Sequence, residues 1–279
     1  MSVSPEYKRF FAEEIRAIGA LKDDQNTNRV LAAFTRVPRE EHVGKGPWLL
    51  YSPLNGFPAR RTPDANPEHL YHNVLISLDE EKGINIGDPS LWARLLSQTV
   101  VAEGTSVLQV GTGSGYYTSI LSELVGPGGR ILATETDERL FDIAVASLRG
   151  RSNVEVKHAN GAIDLTSEDG PFDLVIAFAG VTQPARQWLD RLSPQGRMLL
   201  PVTGKSQWGA MVLAVKDHEG FSARSLGRCG FFPCVGARDK ESEARVDELW
   251  SDNSRLSDTE FRMRIEGQRV IYELSGCTD

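Results

Sequence analysis

The stretch VLQVGTGSGYYTSIL, Val107 to Leu121, sets an apolar run against three glycines and then a helix-like segment. An apolar run without polar alternation suits a strand covered on both faces, as in a parallel sheet. Glycines at its end admit positive φ and let backbone N–H groups approach a ligand closely. In an open α/β sheet that is where nucleotides bind, at the carboxyl end of a strand. The surrounding sequence repeats the alternation. Asp88 followed by Pro89 reads as the N-cap and first turn of a helix, SLWARLLSQTV. Strands SVLQVG, RILATET, VEVKHA, FDLVIAFAG, RMLLPVT and AMVLAVK follow, with helices TSILSELV, ERLFDIAVASLRG and ARQWLDRLS between the earlier ones. The expected fold is α/β, a doubly wound, mostly parallel, Rossmann-like sheet over residues 88–216.

Two regions flank this core. Residues 1–87 begin with helices: EYKRFFAEEIRAIGAL carries Phe10, Phe11, Ile15, Ile18 and Leu21 near helical spacing, and Asn28 opens RVLAAFTRV, which stops at Pro38. From Pro47 to Pro67 five prolines exclude a regular helix or central strand and predict a long, lid-like surface loop. Residues 217–279 form an extension: FSARSLGRCGFFPCVGARD reads as a strand pair with a turn, KESEARVDELWS as a charged helix and RVIYEL as a last strand.

Which nucleotide the turn holds depends on its details. A dinucleotide fingerprint needs its third glycine at position 116, where this chain has Tyr116. No Lys-Ser/Thr pair follows, which excludes a phosphate-binding P-loop. The pattern Gly111, Gly113, Gly115 suits a ligand with no phosphate to hold. Glu135, about 20 positions on at the end of RILATE, is placed to accept hydrogen bonds from ribose hydroxyls, and its neighbour Asp137 is assigned to capping the next helix. Asn160 and Gly161, in HANG, read either as an adenine contact or as a plain Asn-Gly turn. Thr112 in the turn and Ala179 after FDLVIAF complete the candidate set. A nucleoside reader without phosphate contacts describes S-adenosyl-L-methionine.

A formal net charge of -7 argues against a nucleic-acid partner, since phosphate binding needs a basic surface. No apolar run reaches membrane-spanning length, and MSVSPEYKRFFAEE lacks the apolar core of a signal peptide, so no membrane partner and a cytoplasmic location are expected. Cys229, Cys234 and Cys277 are too few for a disulfide framework and lack zinc-site spacing, so they read as idle thiols and no metal is expected.

VLQVGTGSGYYTSILSELVGPGGRILATE, HANG and PFDLVIAFAGVTQPARQWLDRLSPQGRMLLPVTG together resemble the protein-L-isoaspartate O-methyltransferases. So does VLAAFTRVPREEHV, which matches that family's V-P-R-E-x-F-V segment. The resemblance covers roughly Val30 to Val215. It implies a class I methyltransferase fold and methyl transfer from S-adenosyl-L-methionine to a carboxylate. It further implies that the Gly111–Gly115 turn holds the methionine part, Glu135 the ribose and Asn160-Gly161 the adenine. The family usually has Asp where Asn160 stands. A larger departure lies upstream, where the family's T-I-S-Q-P-type motif is replaced by NIGDP: Asn85 stands for the threonine, Gly87 for the serine, and Pro89 is kept.

A carboxylic acid with pKa near 4 is already an anion at neutral pH, so its methylation needs alignment more than a general base. Groups that clamp an anion are therefore sought. Arg238 reads as a carboxylate fork or a structural ion pair, and Arg60 and Arg61 as loop clamps or solvated charges. Tyr71, His72 and Asn85 are hydrogen-bond candidates near the altered motif, and Asn85, His72 and Arg238 form the expected catalytic set. Loss of the serine favours a small carboxylic acid as acceptor, such as a dicarboxylate whose second carboxyl an arginine holds. The alternatives are isoaspartyl repair in damaged proteins and a non-catalytic S-adenosylmethionine-binding protein. The terminal segments make a homodimer an expected partner arrangement.

Overall fold

The computed structural model of the chain describes residues 3–53, 57–267 and 269–274. Cys277 lies outside the described residues. Two compact units emerge, one from Met1–Glu103, Gly113–Pro127 and Arg139–Ser152, the other from Gly104–Thr112, Gly128–Glu138 and Asn153–Asp279.

The first unit is mainly helical. Helix α1 (Pro5–Ile18) is capped by Ser4, and α2 (Gln25–Arg36) by Asp24, whose carboxylate accepts from the Thr27 N–H at 2.8 Å. Helix α2 thus opens earlier than Asn28, because Asp24 is the cap. Along α1 only Phe11, Ala12 and Ile15 turn inward, while Phe10 and Ile18 are exposed. Helix α3 (Pro89–Thr99) starts as expected, with Asp88 Oδ1 accepting from the N–H groups of Ser90 and Leu91. Helices α4 (Tyr116–Val125) and α5 (Glu138–Ser147) complete the set. An aromatic cluster fills the core: Phe11, Phe34, Tyr71, Trp92, Tyr116 and Tyr117 meet edge-on or tilted at centroid distances of 5.1–6.5 Å. Each such pair adds about 0.5–1.5 kcal/mol beyond its buried area.

The proline-rich segment is not simply a loop. It holds β1 (Leu49–Tyr51) and β2 (Arg60–Arg61), which join β3 (Leu75–Asp79) and β4 (Ile84–Asn85) in an antiparallel sheet ordered β2-β1-β3-β4. LLY lies between prolines rather than containing one, so every ladder N–H of this short inner strand survives.

The second unit carries a sheet of nine strands among the described residues, ordered β13-β12-β11-β10-β9-β8-β5-β6-β7. Strands β5 (Ser106–Val110), β6 (Arg130–Glu135), β7 (Val154–His158), β8 (Phe172–Ala177) and β9 (Leu192–Thr203) run parallel. Strands β10 (Trp208–Asp217), β11 (Gly220–Gly230), β12 (Ser257–Glu266) and β13 (Arg269–Leu274) extend it antiparallel. The expected strand pair after Lys216 is one long strand, β11, laddered to β10 from Gly220 to Gly230, and FFPCVGARD follows it as irregular chain. Strand β12 went unread although TEFRMRIE carries the period-2 alternation of a strand, with Phe261 and Met263 facing inward. Helices α6 (Arg186–Arg191) and α7 (Lys240–Leu249) belong to this unit. Its core gathers Leu108, Val110, Phe172, Trp188, Leu200 and Phe261. Cys229 and Cys234 are buried, and burial pushes both thiols up, Cys234 to about 11, which keeps them protonated and inert.

Strand β5 is central to placing the site. The chain runs from β5 outward to β6 and β7, then returns to β8 on the other side of β5. The carboxyl ends of β5 and β8 therefore flank a topological switch point, the crevice where open α/β sheets bind ligands.

Candidate active site

Gly111 leaves β5 at φ 83°, and its N–H and that of Thr112 both reach the Thr134 carbonyl at 3.0 Å. The Thr112 hydroxyl donates to the same carbonyl at 3.1 Å, so its side chain serves the turn itself. A Cβ on Gly111 would sit 3.5 Å from Phe178 Cβ, in the chain that leaves β8. Gly113, at φ 58°, faces open space: a Cβ there would meet nothing within 4 Å.

Tyr116 does not obstruct the turn as its position suggested. Its ring is 1 % exposed and packs against Phe34, His42 and the Arg39 guanidinium within the helical unit. The bulk of this ring is therefore not what excludes a dinucleotide.

At the end of β6, Glu135 is buried, and its Oε1 accepts from the N–H groups of Thr136 and Asp137 at 2.9 and 3.0 Å. Two backbone donors on one oxygen hold the carboxylate at the strand terminus, a rigid acceptor of the kind ribose hydroxyls need. Asn160 follows β7 in a tight turn. Its N–H donates to Asp164 Oδ2 at 2.8 Å, and its Oδ1 accepts from the Ala162 N–H at 3.0 Å. The side-chain acceptor is thus spent on the turn. Gly161 has no room for a side chain: a Cβ would strike the Thr134 hydroxyl, and its carbonyl accepts from Trp188 Nε1 at 2.7 Å. Ala179 is half-buried just past β8 and packs on the sheet core. Gly111, Thr112, Glu135, Asn160, Gly161 and Ala179 all lie at or just past parallel-strand ends of the second unit.

The expected catalytic residues fare differently. Arg238 is 12 % exposed at its side chain and is fully engaged: Nε and Nη2 pair with Glu243, Nη2 also donates to the Gly204 carbonyl, and Nη1 serves the carbonyls of Gly180 and Thr203 and the Thr203 hydroxyl. No N–H remains to fork onto a carboxylate, so the structural ion pair is correct and the clamp is not. Asn85 turns back on its own chain, with Oδ1 accepting from the Gly87 N–H at 2.9 Å and Nδ2 donating to the Gly83 carbonyl at 3.4 Å. His72 is exposed, with Nδ1 3.6 Å from Glu14 Oε2. The Tyr71 hydroxyl is buried and donates to Glu40 Oε2 at 2.7 Å, and burial beside that carboxylate raises its pKa. Arg61 pairs bidentately with Glu80, and Arg60 is exposed on β2.

NIGDP is built as a cap. Asp88 Oδ1 accepts from the Ser90 N–H and hydroxyl, while Asn73 exchanges two further hydrogen bonds with Ser90 at 2.9 and 3.1 Å. Asp88 is therefore committed to α3. Gly87 sits at φ 89°, and a Cβ there would press on the Trp92 indole at 3.2 Å. A serine here would meet both that contact and a left-handed backbone that L side chains rarely adopt. Sequence reasoning passed over two residues here. Arg39 and His42 of VPREEH are both buried, and a charged and a titratable side chain inside an apolar-flanked motif was the signal available.

The strand order and the switch point are those of the class I S-adenosyl-L-methionine-dependent methyltransferases. A solved protein-L-isoaspartate O-methyltransferase has the same fold, with a TM-score of 0.67 and 20% identity over 94% of this chain and 74% of that one. A Plasmodium falciparum chain described as the same enzyme, in complex with S-adenosyl-L-homocysteine, gives a TM-score of 0.60 at 17% identity, covering 82% of this chain and 98% of that one. In sequence, the Methanococcoides burtonii protein-L-isoaspartate O-methyltransferase is 29% identical over 78% of this chain and 98% of its own. The Archaeoglobus fulgidus protein-L-isoaspartate O-methyltransferase 2 is 31% identical over 55% of this chain and 70% of its own. The model of the protein-L-isoaspartate(D-aspartate) O-methyltransferase family matches residues 61–239. The chain belongs to the protein-L-isoaspartate(D-aspartate) O-methyltransferase family.

Proposed function

We propose that this methyltransferase esterifies the free carboxylate of an isoaspartyl residue in a polypeptide, with the donor held by the Gly111–Gly115 turn, Glu135 and the Asn160-Gly161 turn. The observation that carries the reading is the family match over 61–239, which spans the altered NIGDP motif as well as the donor core. It favours a peptide acceptor over the small acid that the lost serine suggested. When bound, the donor supplies a methyl group on a sulfonium sulfur. What the chain must supply is placement, because an acceptor carboxylate is ionised without help at neutral pH. Rigid positioning contributes about 7–11 kcal/mol in well-aligned reactions. The Glu135 carboxylate, fixed by two backbone N–H groups, anchors the ribose end, and the glycine turn receives the methionine end without side chains in its way. No proton need be taken from the acceptor, so the surface-paired His72 is not required as a base.

The hydroxyl-free turn at Gly87 supports a second reading, a small mono- or dicarboxylic acid as acceptor. One assay separates the two: methyl transfer from labelled donor to an isoaspartyl peptide, its aspartyl isomer and a panel of small acids. Labelling of the isoaspartyl peptide alone is the expected result. Labelling of a small acid with no peptide turnover would replace the first reading by the second. Glu135→Ala is expected to weaken donor binding by about 1–3 kcal/mol, the cost of a lost buried hydrogen-bond partner. Calorimetric titration with S-adenosyl-L-homocysteine checks this, and an unchanged affinity would remove Glu135 from the site.

A further inference from the structure

His42 closes the 3₁₀ turn Arg39–His42 and is 1 % exposed. Its Nδ1 lies 3.2 Å from the carbonyl oxygen of Ser114, the residue between Gly113 and Gly115 of the donor turn. A carbonyl only accepts, so Nδ1 carries the proton and the ring donates. The same carbonyl accepts from the Ser147 hydroxyl of α5 at 2.8 Å. Around it the backbone is held in left-handed conformations, with Gly113 at φ 58° and Gly115 at φ 84°. Gly115 is also the N-cap of α4, and no side chain caps that helix. Two donors on one carbonyl fix the Ser114–Gly115 peptide plane, which sets how the turn meets α4. The His42 ring also packs edge-on against Tyr116, the first residue of α4, at a centroid distance of 5.6 Å. In the family segment V-P-R-E-x-F-V, phenylalanine occupies this place. Phenylalanine can keep the contact with Tyr116, but it cannot donate to Ser114.

We propose that His42 is a positioning residue for methyl-donor binding, its Nδ1–H locking the Ser114 carbonyl and, through it, the glycine turn. The proposal rests on the reading of Gly111–Gly115 as the donor turn. It makes this chain's turn dependent on a hydrogen bond that the phenylalanine of the family segment cannot form.

The test uses the full chain, with S-adenosyl-L-homocysteine affinity measured by calorimetry and thermal unfolding followed in parallel. His42→Phe removes the donor and keeps the ring, and should weaken binding about fivefold, the equivalent of one ordinary hydrogen bond. His42→Asn places an amide N–H near the Nδ1 position and should stay within about twofold of the parent. Ser147→Ala, which removes the other donor to the same carbonyl, should weaken binding in the same direction as His42→Phe, and it serves if His42→Phe fails to fold. Equal affinities for parent, His42→Phe and Ser147→Ala would overturn the proposal, as would His42→Asn weakening as much as His42→Phe. A parent protein that binds no S-adenosyl-L-homocysteine would instead overturn the donor-turn reading.

Discussion

Replacing Arg39 with methionine is expected to lower the free energy of unfolding by about 2–4 kcal/mol. The guanidinium is completely buried and has no carboxylate within ion-pair distance among the described residues. Instead it donates to the carbonyls of Leu70, His72 and Val74, and it lies over the rings of Phe11 and Tyr116 at 4.9 and 5.5 Å. One side chain thereby serves three carbonyls at the end of the 3₁₀ turn Pro67–Leu70 and in the irregular chain that follows it, of which, among the described residues, only that of His72 also accepts a backbone N–H, from Val74 at 2.8 Å. Methionine keeps the apolar stem and strands the Leu70 and Val74 acceptors, while His72 keeps the Val74 N–H; each stranded acceptor costs about 1–3 kcal/mol if fully buried, offset by relief from burying a charge. Lysine should recover little, because a single ammonium cannot span three carbonyls that a planar fork reaches together. Denaturant titration of parent, Arg39→Met and Arg39→Lys measures this. A loss under about 0.5 kcal/mol for methionine, the range of ordinary surface substitutions, would show that the carbonyls find other donors.

The second large effect is a loss of stability in acid. Burial, with Arg151 adding like-charge repulsion, holds the His42 ring down to about 4 against its ordinary 6.5, although the Ser114 carbonyl pulls the other way. The unfolded chain therefore takes up this proton near pH 6.5, and the folded chain only near pH 4. Between those values the unfolded state binds more protons, so stability rises with pH. The contribution is complete above about pH 6.5 and is lost progressively down to about pH 4, where it amounts to about 3 kcal/mol. Carboxylates titrate in the same range, so the measurement is a difference. Unfolding free energies of parent and His42→Phe should converge or cross as pH falls from 7 to 4. Parallel curves would show that His42 does not titrate as a buried neutral ring. In the folded protein the neutral form is the one that serves the turn across the neutral range.

Much of the proposed donor side was legible along the chain. Gly111, Gly113 and Gly115 follow VLQV, apolar but for Gln109, and Glu135 ends the next strand, so local pattern and spacing suffice to place them at strand ends. The acceptor side was not legible in the same way. Asn85, Tyr71 and Arg238 looked available because sequence shows which donors exist but not which are already used. Arg238 is spent on Glu243 and four backbone and hydroxyl oxygens that come from residues 180–204, far from it in sequence. The extra strands β1 to β4 escaped for a related reason: two- to five-residue strands carry too little periodicity to separate them from loop.

Periodicity, capping residues and glycine spacing act over a few neighbours, and they were enough for the α/β class, for Asp88 as a cap and for the family resemblance. Pairing of polar groups acts between residues dozens of positions apart, and only folding assigns it. That is why NIGDP, which on paper looked like an opened catalytic motif, is in three dimensions a helix cap with a left-handed glycine. It is also why His42, unremarked in VPREEH, turns out to hold the carbonyl of Ser114.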